Sequence, residues 1–320
     1  MSKDSTYYTT SDSRFFIGTV AMINSLRLTG HQGQVVVLDL GLTEDQRRRL
    51  AQVGRVEAPH VTPGPSRKAF PAPQRTTGRI VMIDSDILVV SSLRHLFEAV
   101  DRGKICVCHD PDHRWFAEWQ KQLALRAPLR RGQRYANAGF VAFHAERWPW
   151  LLERWAEVRS CVPKERLGIE SYPFRDSDQD PLNAVLMSEV PPGAVHVEPD
   201  WAHAHPPALP HVQVVDERAL TCTDGRHPVT FLHHSGVPKA WELAGWRRDF
   251  REAYIQLLPR VLCDDDVALR LGQHEIPWWL RPTISGGLAF RIQPQAKRVS
   301  RRIRAAARRV RSKWPSSTRK

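Results

Sequence analysis

The sequence predicts an α/β fold with a mostly parallel central sheet and flanking helices, and three observations predict it. Residues 80–90 read Ile-Val-Met-Ile-Asp84-Ser85-Asp86-Ile-Leu-Val-Val, an apolar strand buried on both faces that ends on two carboxylates one residue apart. Gln34-Val-Val-Val-Leu-Asp39 is a second buried strand. Phe16 to Leu28 ahead of it has helical apolar spacing and stops at Gly30. Strands and helices therefore alternate, as they do in parallel sheets. Ligands of such sheets gather beyond the carboxyl ends of the strands, where Asp84 and Asp86 lie.

The elements follow in order. Tyr7-Tyr8-Thr9-Thr10-Ser11-Asp12 reads as a first strand and its turn, and Thr43-Glu-Asp-Gln46 as a capping box opening the helix after the second strand. Residues 59–78, rich in proline, and residues 161–177 form two irregular stretches, of a length that is usually functional or mobile. Lys104-Ile-Cys106-Val-Cys108-His109 alternates like a strand. Tyr135-Ala-Asn137-Ala-Gly139 reads as an Asn/Gly turn before a strand at 140–143, and a helix is expected around 148–158. Asp178-Gln179-Asp180 opens a short helix with Pro181 in its first turn, where acidic residues suit the helix dipole. Val229-Thr-Phe-Leu232 leads into His233-His234-Ser235-Gly236-Val237-Pro238-Lys239-Ala240-Trp241, and Asp264-Asp-Asp266 reads as a helix start.

Composition bounds the rest. The 320 residues carry a net charge of +13, all of it at the carboxyl end. Of 47 Lys and Arg, 13 fall between Arg281 and Lys320, and no Asp or Glu follows Glu275, so residues 1–275 balance at 34 of each sign. We divide the chain into a catalytic domain at 1–260, a linker or extension with exposed aromatics at 261–295, and a basic amphipathic or disordered tail at 296–320. In the tail Val299, Ile303, Ala307, Val310 and Trp314 recur at helical spacing among arginines, a pattern suited to an anionic membrane surface. A solvated tail is the alternative, and nonspecific nucleic-acid binding the least favoured. No apolar stretch approaches the roughly 18–20 residues of a spanning helix, and no hydrophobic signal region opens the chain. Five cysteines without a Cys-x-x-Cys pair fit a reducing cytosol. A second metal site at His203, His205 and His211 is not favoured, because no helix or strand is expected to fix them.

The chemistry rests on the two motifs together. Two carboxylates at a strand end can hold a hard divalent cation, which can hold a diphosphate; a neutral imidazole beside them shifts the preference from Mg²⁺ toward Mn²⁺. Taken singly, Asp-x-Asp is as readily an acidic turn, and a lone His is more often hydrogen-bonded than ligating. Asp84-Ser-Asp86 with His233-x-x-Gly236-x-x-Lys239-x-Trp241 resembles the metal-dependent nucleotide-sugar transferases of the GT-A fold, most closely glycosyltransferase family 8. The resemblance covers roughly residues 5–245, with Ala240 where the family usually has Pro. It implies that Asp84, Asp86 and His233 bind Mn²⁺ or Mg²⁺. It also implies that Gly236 and Lys239 meet the diphosphate, and that Tyr8, Thr9 and Asp12 cradle the uridine. Lys68, Ser85, Asn137, Gly139 and Asp180 join the donor site, and Asp178 and Gln179 act near the anomeric carbon.

The function so implied is a metal-dependent hexosyltransferase that moves sugar from a UDP-sugar to a saccharide or lipid-linked acceptor; the resemblance implies retention, while an inverting path, with Asp178 or Asp180 as its base, stays open. It would sit in the cytoplasm or peripherally on the cytoplasmic face of the membrane. Two alternatives stand beside it. A haloacid dehalogenase-type phosphohydrolase also places Asp-x-Asp at a strand end, but normally continues with small residues and Thr rather than Ile87-Leu-Val-Val. A non-catalytic nucleotide-sugar or polyanion-binding protein would not need the intact Asp84, Asp86 and His233 set.

Overall fold

The computed structural model describes residues 5–60, 68–72, 77–163, 172–206, 208–242 and 252–281. The prolines at 63, 65 and 73, part of the second irregular stretch and the whole basic tail lie outside the described residues. In chain order the elements are β1 (Ser5–Ser11), α1 (Phe16–Leu28), β2 (Gln34–Asp39), α2 (Glu44–Leu50), β3 (Arg55–Glu57), β4 (Arg79–Ile83), β5 (Ile87–Val89), α3 (Arg94–Asp101) and β6 (Ile105–His109). They continue with α4 (Trp119–Gln122), β7 (Ala136–His144), α5 (Leu151–Ser160), α6 (Gln179–Ser188), β8 (Val195–Glu198), β9 (His203–Ala204), β10 (Gln213–Asp216), β11 (Thr221–Thr223), β12 (Phe231–His233) and α7 (Ala253–Cys263).

Seven strands form the central sheet in the order β3-β2-β1-β4-β7-β6-β8, and only β7 runs against its neighbours. The apolar runs alternate between its two faces. Tyr7, Val35, Val37, Val81 and Cys106 join one core with α1, α3 and α7, whereas Tyr8, Val36, Leu38, Ile80 and Val107 join the other with α5 and α6. Strands covered on both faces must be apolar at every position, which is why they read as unbroken runs. Each fully buried Val, Leu or Ile contributes on the order of 1.5–3 kcal/mol, so a charged substitution at Val81 would disrupt the centre of the sheet.

Local signals hold well. Helix α1 has the expected bounds and ends near Gly30, at φ +85°. Before α2, Thr43 N–H donates to Gln46 Oε1 at 3.0 Å and Gln46 N–H to Thr43 Oγ1 at 3.3 Å, completing the capping box. Buried Asn24 in α1 donates to Val261 O (2.7 Å) and Leu269 O (2.9 Å), clamping α1 to α7 and the segment after it.

Several expectations are corrected. Asn137 and Gly139 lie inside β7 rather than in a turn before it, because pairing with β4 on one side and β6 on the other overrides their turn propensity. The register against β6 shifts there, so the pair sits at an irregularity of the strand. Asp264–266 follow α7 instead of opening a helix, and Asp266 pairs with Arg260 in its last turn, a favourable placement for the cation. Trp279 is buried and donates to Ala240 O at 3.1 Å, so of the two aromatics read as exposed linker only Trp278 is exposed. The expected helix at 148–158 begins three residues later, after the turn at Trp148. Among the described residues no helix is long and apolar enough to cross a membrane.

Candidate active site

The site is built where two sheets meet. β4, at the centre of the large sheet, ends at Ile83, and β5 opens a small second sheet, β5-β12-β9, at Ile87. Asp84 and Asp86 occupy the joint between them, in a turn closed by Ile87 N–H to Asp84 O at 3.2 Å. Pairing of β12 with β5 sets His233 opposite Ile87, and His234 N–H donates to Asp86 O at 3.0 Å. Pairing therefore carries a residue about 150 positions downstream to the carboxylates. One ligand atom each from Asp84, Asp86 and His233 lies within 4.8 Å of the others, and they are the one such group of acidic, His or Cys ligands among the described residues. Two carboxylates and an imidazole at this spacing suit Mn²⁺ or Mg²⁺.

Two buried lysines flank the trio. Lys68 pairs with Asp84 and donates to Ala138 O at 2.8 Å. Lys239 pairs with Asp86 and donates to His234 O at 3.0 Å. Burial alone would raise the Asp86 carboxyl, but His233 and Lys239 against it outweigh that and hold it well below the usual carboxylate range. Asp178 is shifted the other way: burial, with the charge of Asp84 nearby, raises it despite Lys68. Burial, together with neighbouring His233 and His205, keeps the His203 imidazole well below its ordinary value.

Two crevices open on either side of the carboxylates. The first, of about 180 Å³, has Lys68, Asp84, Ser85, Asp86 and Lys239 as its floor, the β1 end (Thr10 to Asp12), Phe15 and Leu40 as one wall, and Asp178 at its edge. Asp12 accepts from the N–H groups of Arg14 (2.9 Å) and Phe15 (3.1 Å), fixing the entry to α1. The second crevice is wider and polar, and it adds Asn137, Gly139, Arg175, Gln179 and Gly236 to the same carboxylates and His233.

Three expected donor contacts lie elsewhere. Tyr8 and Thr9 are buried in β1 and line neither crevice: Tyr8 packs into the core shared with α5 and α6, and Thr10 to Asp12 take that wall instead. Asp180 is fully buried beneath the site, accepting from Arg114 Nε at 2.9 Å and Tyr135 Oη at 2.6 Å. It anchors α6 instead of facing a ligand. Gly236 adopts φ +81°, in the left-handed region that favours glycine.

Some participants had no signal in the sequence. Asp110, at the end of β6, gathers Asn137 Nδ2 at 2.8 Å and Gln179 Nε2 at 3.2 Å. Gly139 closes against His233: a Cβ there would lie 2.7 Å from the imidazole Cε1. Gly18 in α1 does the same for Trp241, since a Cβ there would lie 2.6 Å from Ser85 O and 2.9 Å from the indole Cζ2. The Trp of the second motif is thus a packing residue, its Nε1 donating to Arg14 O at 2.8 Å.

The architecture matches known sugar transferases. The galactosyltransferase LgtC, solved with donor and acceptor sugar analogs, superposes with a TM-score of 0.51 at 16% identity over 82% of this chain and 98% of that one. The bifunctional glycosyltransferase WbbM gives 0.53 at 16% identity, covering 81% of this chain and 50% of its own. This is the GT-A fold. The glycosyltransferase GlyE of Streptococcus pneumoniae TIGR4 gives 0.50 at 15% identity, over 84% and 62%. No family model matches the sequence, and no curated protein matches it. The GT-A likeness is one of fold, with the Asp84–Asp86 turn at the junction that opens both crevices.

Proposed function

We propose that the protein is a hexosyltransferase that moves a sugar from a nucleoside-diphosphate donor, a UDP-sugar, to a saccharide or lipid-linked acceptor. The observation that carries this reading is the trio Asp84, Asp86 and His233, flanked by two buried lysines and placed between two crevices of a GT-A fold. The trio would hold Mn²⁺ or Mg²⁺, which supplies Lewis-acid stabilisation of the leaving diphosphate when bound.

The remaining chemistry belongs to the chain. Lys68 and Lys239 present ammonium groups at the floor of the first crevice, where charge develops on the departing diphosphate. Gly236 lets backbone approach the phosphates without a side chain intervening. The nucleoside occupies the β1 side, against Asp12 and the Phe15–Leu40 wall, and the sugar reaches across to Asn137 and Gln179. There Asp110 holds both amides in fixed orientation. Asp178 borders both crevices, on the line from nucleotide to sugar. In a retaining transfer the anomeric C–O bond to phosphate breaks, the bond to the acceptor oxygen forms on the same face, and the acceptor proton passes to the leaving phosphate. No strong base is then required, which fits the pairing of Asp84 and Asp86 with lysines.

The basic segment from Lys297 supports a peripheral contact with the anionic cytoplasmic face of a membrane, where lipid-linked acceptors reside. A screen of UDP-sugars for donor hydrolysis, with and without Mn²⁺, tests the activity, and proton NMR of the product anomer tests retention. Metal-dependent turnover lost in Asp84→Ala and Asp86→Ala is expected; phosphate release from simple phosphomonoesters without sugar transfer would favour the phosphohydrolase instead.

A further inference from the structure

His203 belongs to the histidine-rich stretch that has no part in the donor site, yet the small sheet places it against the metal trio. Its strand β9 pairs in parallel with β12, with His203 opposite Phe231, two residues before His233. His203 is buried and stacks on His205 at 5.1 Å between ring centroids. Its Nε2 lies 3.2 Å from Nδ1 of His233, and its Nδ1 lies 3.4 Å from the backbone carbonyl oxygen of His109. On the far side of the His233 ring, Nε2 is 3.3 Å from Asp86 Oδ1.

The contact with His109 fixes the hydrogen of His203. A carbonyl oxygen only accepts, so the His203 nitrogen facing His109 must carry the hydrogen. Neutral imidazole holds one hydrogen, which leaves His203 Nε2 as an acceptor. A cation held between His233 Nε2 and Asp86 requires the lone pair on Nε2, which places the His233 hydrogen on Nδ1, facing the His203 acceptor; without a cation, Nε2 would instead donate to the Asp86 carboxylate.

We propose that His203 is a positioning residue that locks His233 in the tautomer and ring orientation needed to bind a divalent cation. The proposal rests on the metal-binding reading of Asp84, Asp86 and His233. Gly139 lies close against the ring from another side, so His233 meets a hydrogen-bond partner on one side and backbone on another. Groups that hold a ligating imidazole in this way typically change metal affinity by about 10–100-fold when removed.

The test is Mn²⁺ titration of the full chain by calorimetry, with UDP present, on wild type, Asp84→Ala, His203→Phe and His203→Gln. His203→Phe keeps a ring but removes the acceptor, and affinity should fall about 10-fold or more. His203→Gln retains an acceptor oxygen and should recover most of the loss. Nitrogen-15 NMR of histidine-labelled wild type with Mg²⁺ and UDP requires no variant, and should show the hydrogen of His233 on Nδ1. Wild-type affinity in His203→Phe, equal losses in both variants, or a hydrogen on Nε2 of His233 would overturn the proposal. If Asp84→Ala still abolishes binding in that case, the metal reading survives it; wild type that binds no Mn²⁺ would bring down both.

Discussion

Gly139→Ala is the sharpest test of how the site is held. The added methyl carbon would stand 2.7 Å from His233 Cε1, 2.8 Å from Asn137 Oδ1 and 3.2 Å from His233 Nδ1. The closest of these is roughly 0.7 Å inside ordinary van der Waals contact, too deep for the imidazole to accept in place. Gly139 is not among the glycines at positive φ, so alanine suits its backbone and the effect is steric alone. Overpacking of this kind costs about 1–3 kcal/mol, and each kcal/mol lowers Tm by about 2–4 °C in a chain of this size class. If the ring yields, His233 leaves the cluster and Mn²⁺ affinity falls about 10-fold or more. Thermal unfolding and Mn²⁺ titration in parallel give both quantities. A variant with wild-type Tm and Mn²⁺ affinity but a raised KM for the donor would refute the argument, since it would mean that Gly139 faces the sugar and not the imidazole.

Three further outcomes are expected. His233→Ala should impair Mn²⁺ use, whereas His234→Ala, whose ring packs 5.1 Å from Tyr254, should mainly lower Tm; equal effects on Mn²⁺ titration would mean that the trio is misassigned. Glu198 accepts from His196 at 2.8 Å and His95 at 3.0 Å, and although burial alone would raise it, these bonds lower it to about 2 from its ordinary 4.5. Its contribution is therefore complete above about pH 4.5 and is lost as pH falls toward 2; Glu198→Gln should cost about 2 kcal/mol at pH 6, allowing for the part-exposed imidazoles, and denaturation curves that coincide at pH 6 would exclude this. Truncation after Pro294 should leave hydrolysis of a soluble UDP-sugar intact and abolish sedimentation with anionic liposomes, whereas full-length protein that ignores such liposomes at low salt would overturn the membrane contact.

What could be read in the sequence was whatever depends on near neighbours. Burial on both faces marks β2 and β4 residue by residue, and the capping box at Thr43 needs only four positions. The joint of Asp84 and Asp86 with His233 was legible because a motif stood in for the β5–β12 pairing that creates it. Contacts between distant segments without a motif were not: nothing near Gly18 indicates Trp241, and nothing near Asp110 indicates Asn137 or Gln179. Asn137 and Gly139 misled because their composition favours a turn, while two flanking strands hold them extended. Asp180 misled in a similar way, since an acidic residue in the first turn of α6 can serve a ligand or an internal Arg114, and only the packed structure distinguishes them.

The ligand set is divided between two sheets. Asp84 follows the end of β4 in the seven-stranded sheet, while Asp86 precedes β5 and His233 ends β12, the middle strand of the three-stranded one. A bound cation would therefore act as a rivet between them, and its affinity would report how the sheets are aligned. Substitutions far from the crevice, along β5 and β12, could retune that affinity without altering a ligand. The joint also leaves the donor walls, at the ends of β1 and β7, on the large sheet, so that they can diverge while only three side chains are obliged to keep their distances to the small one.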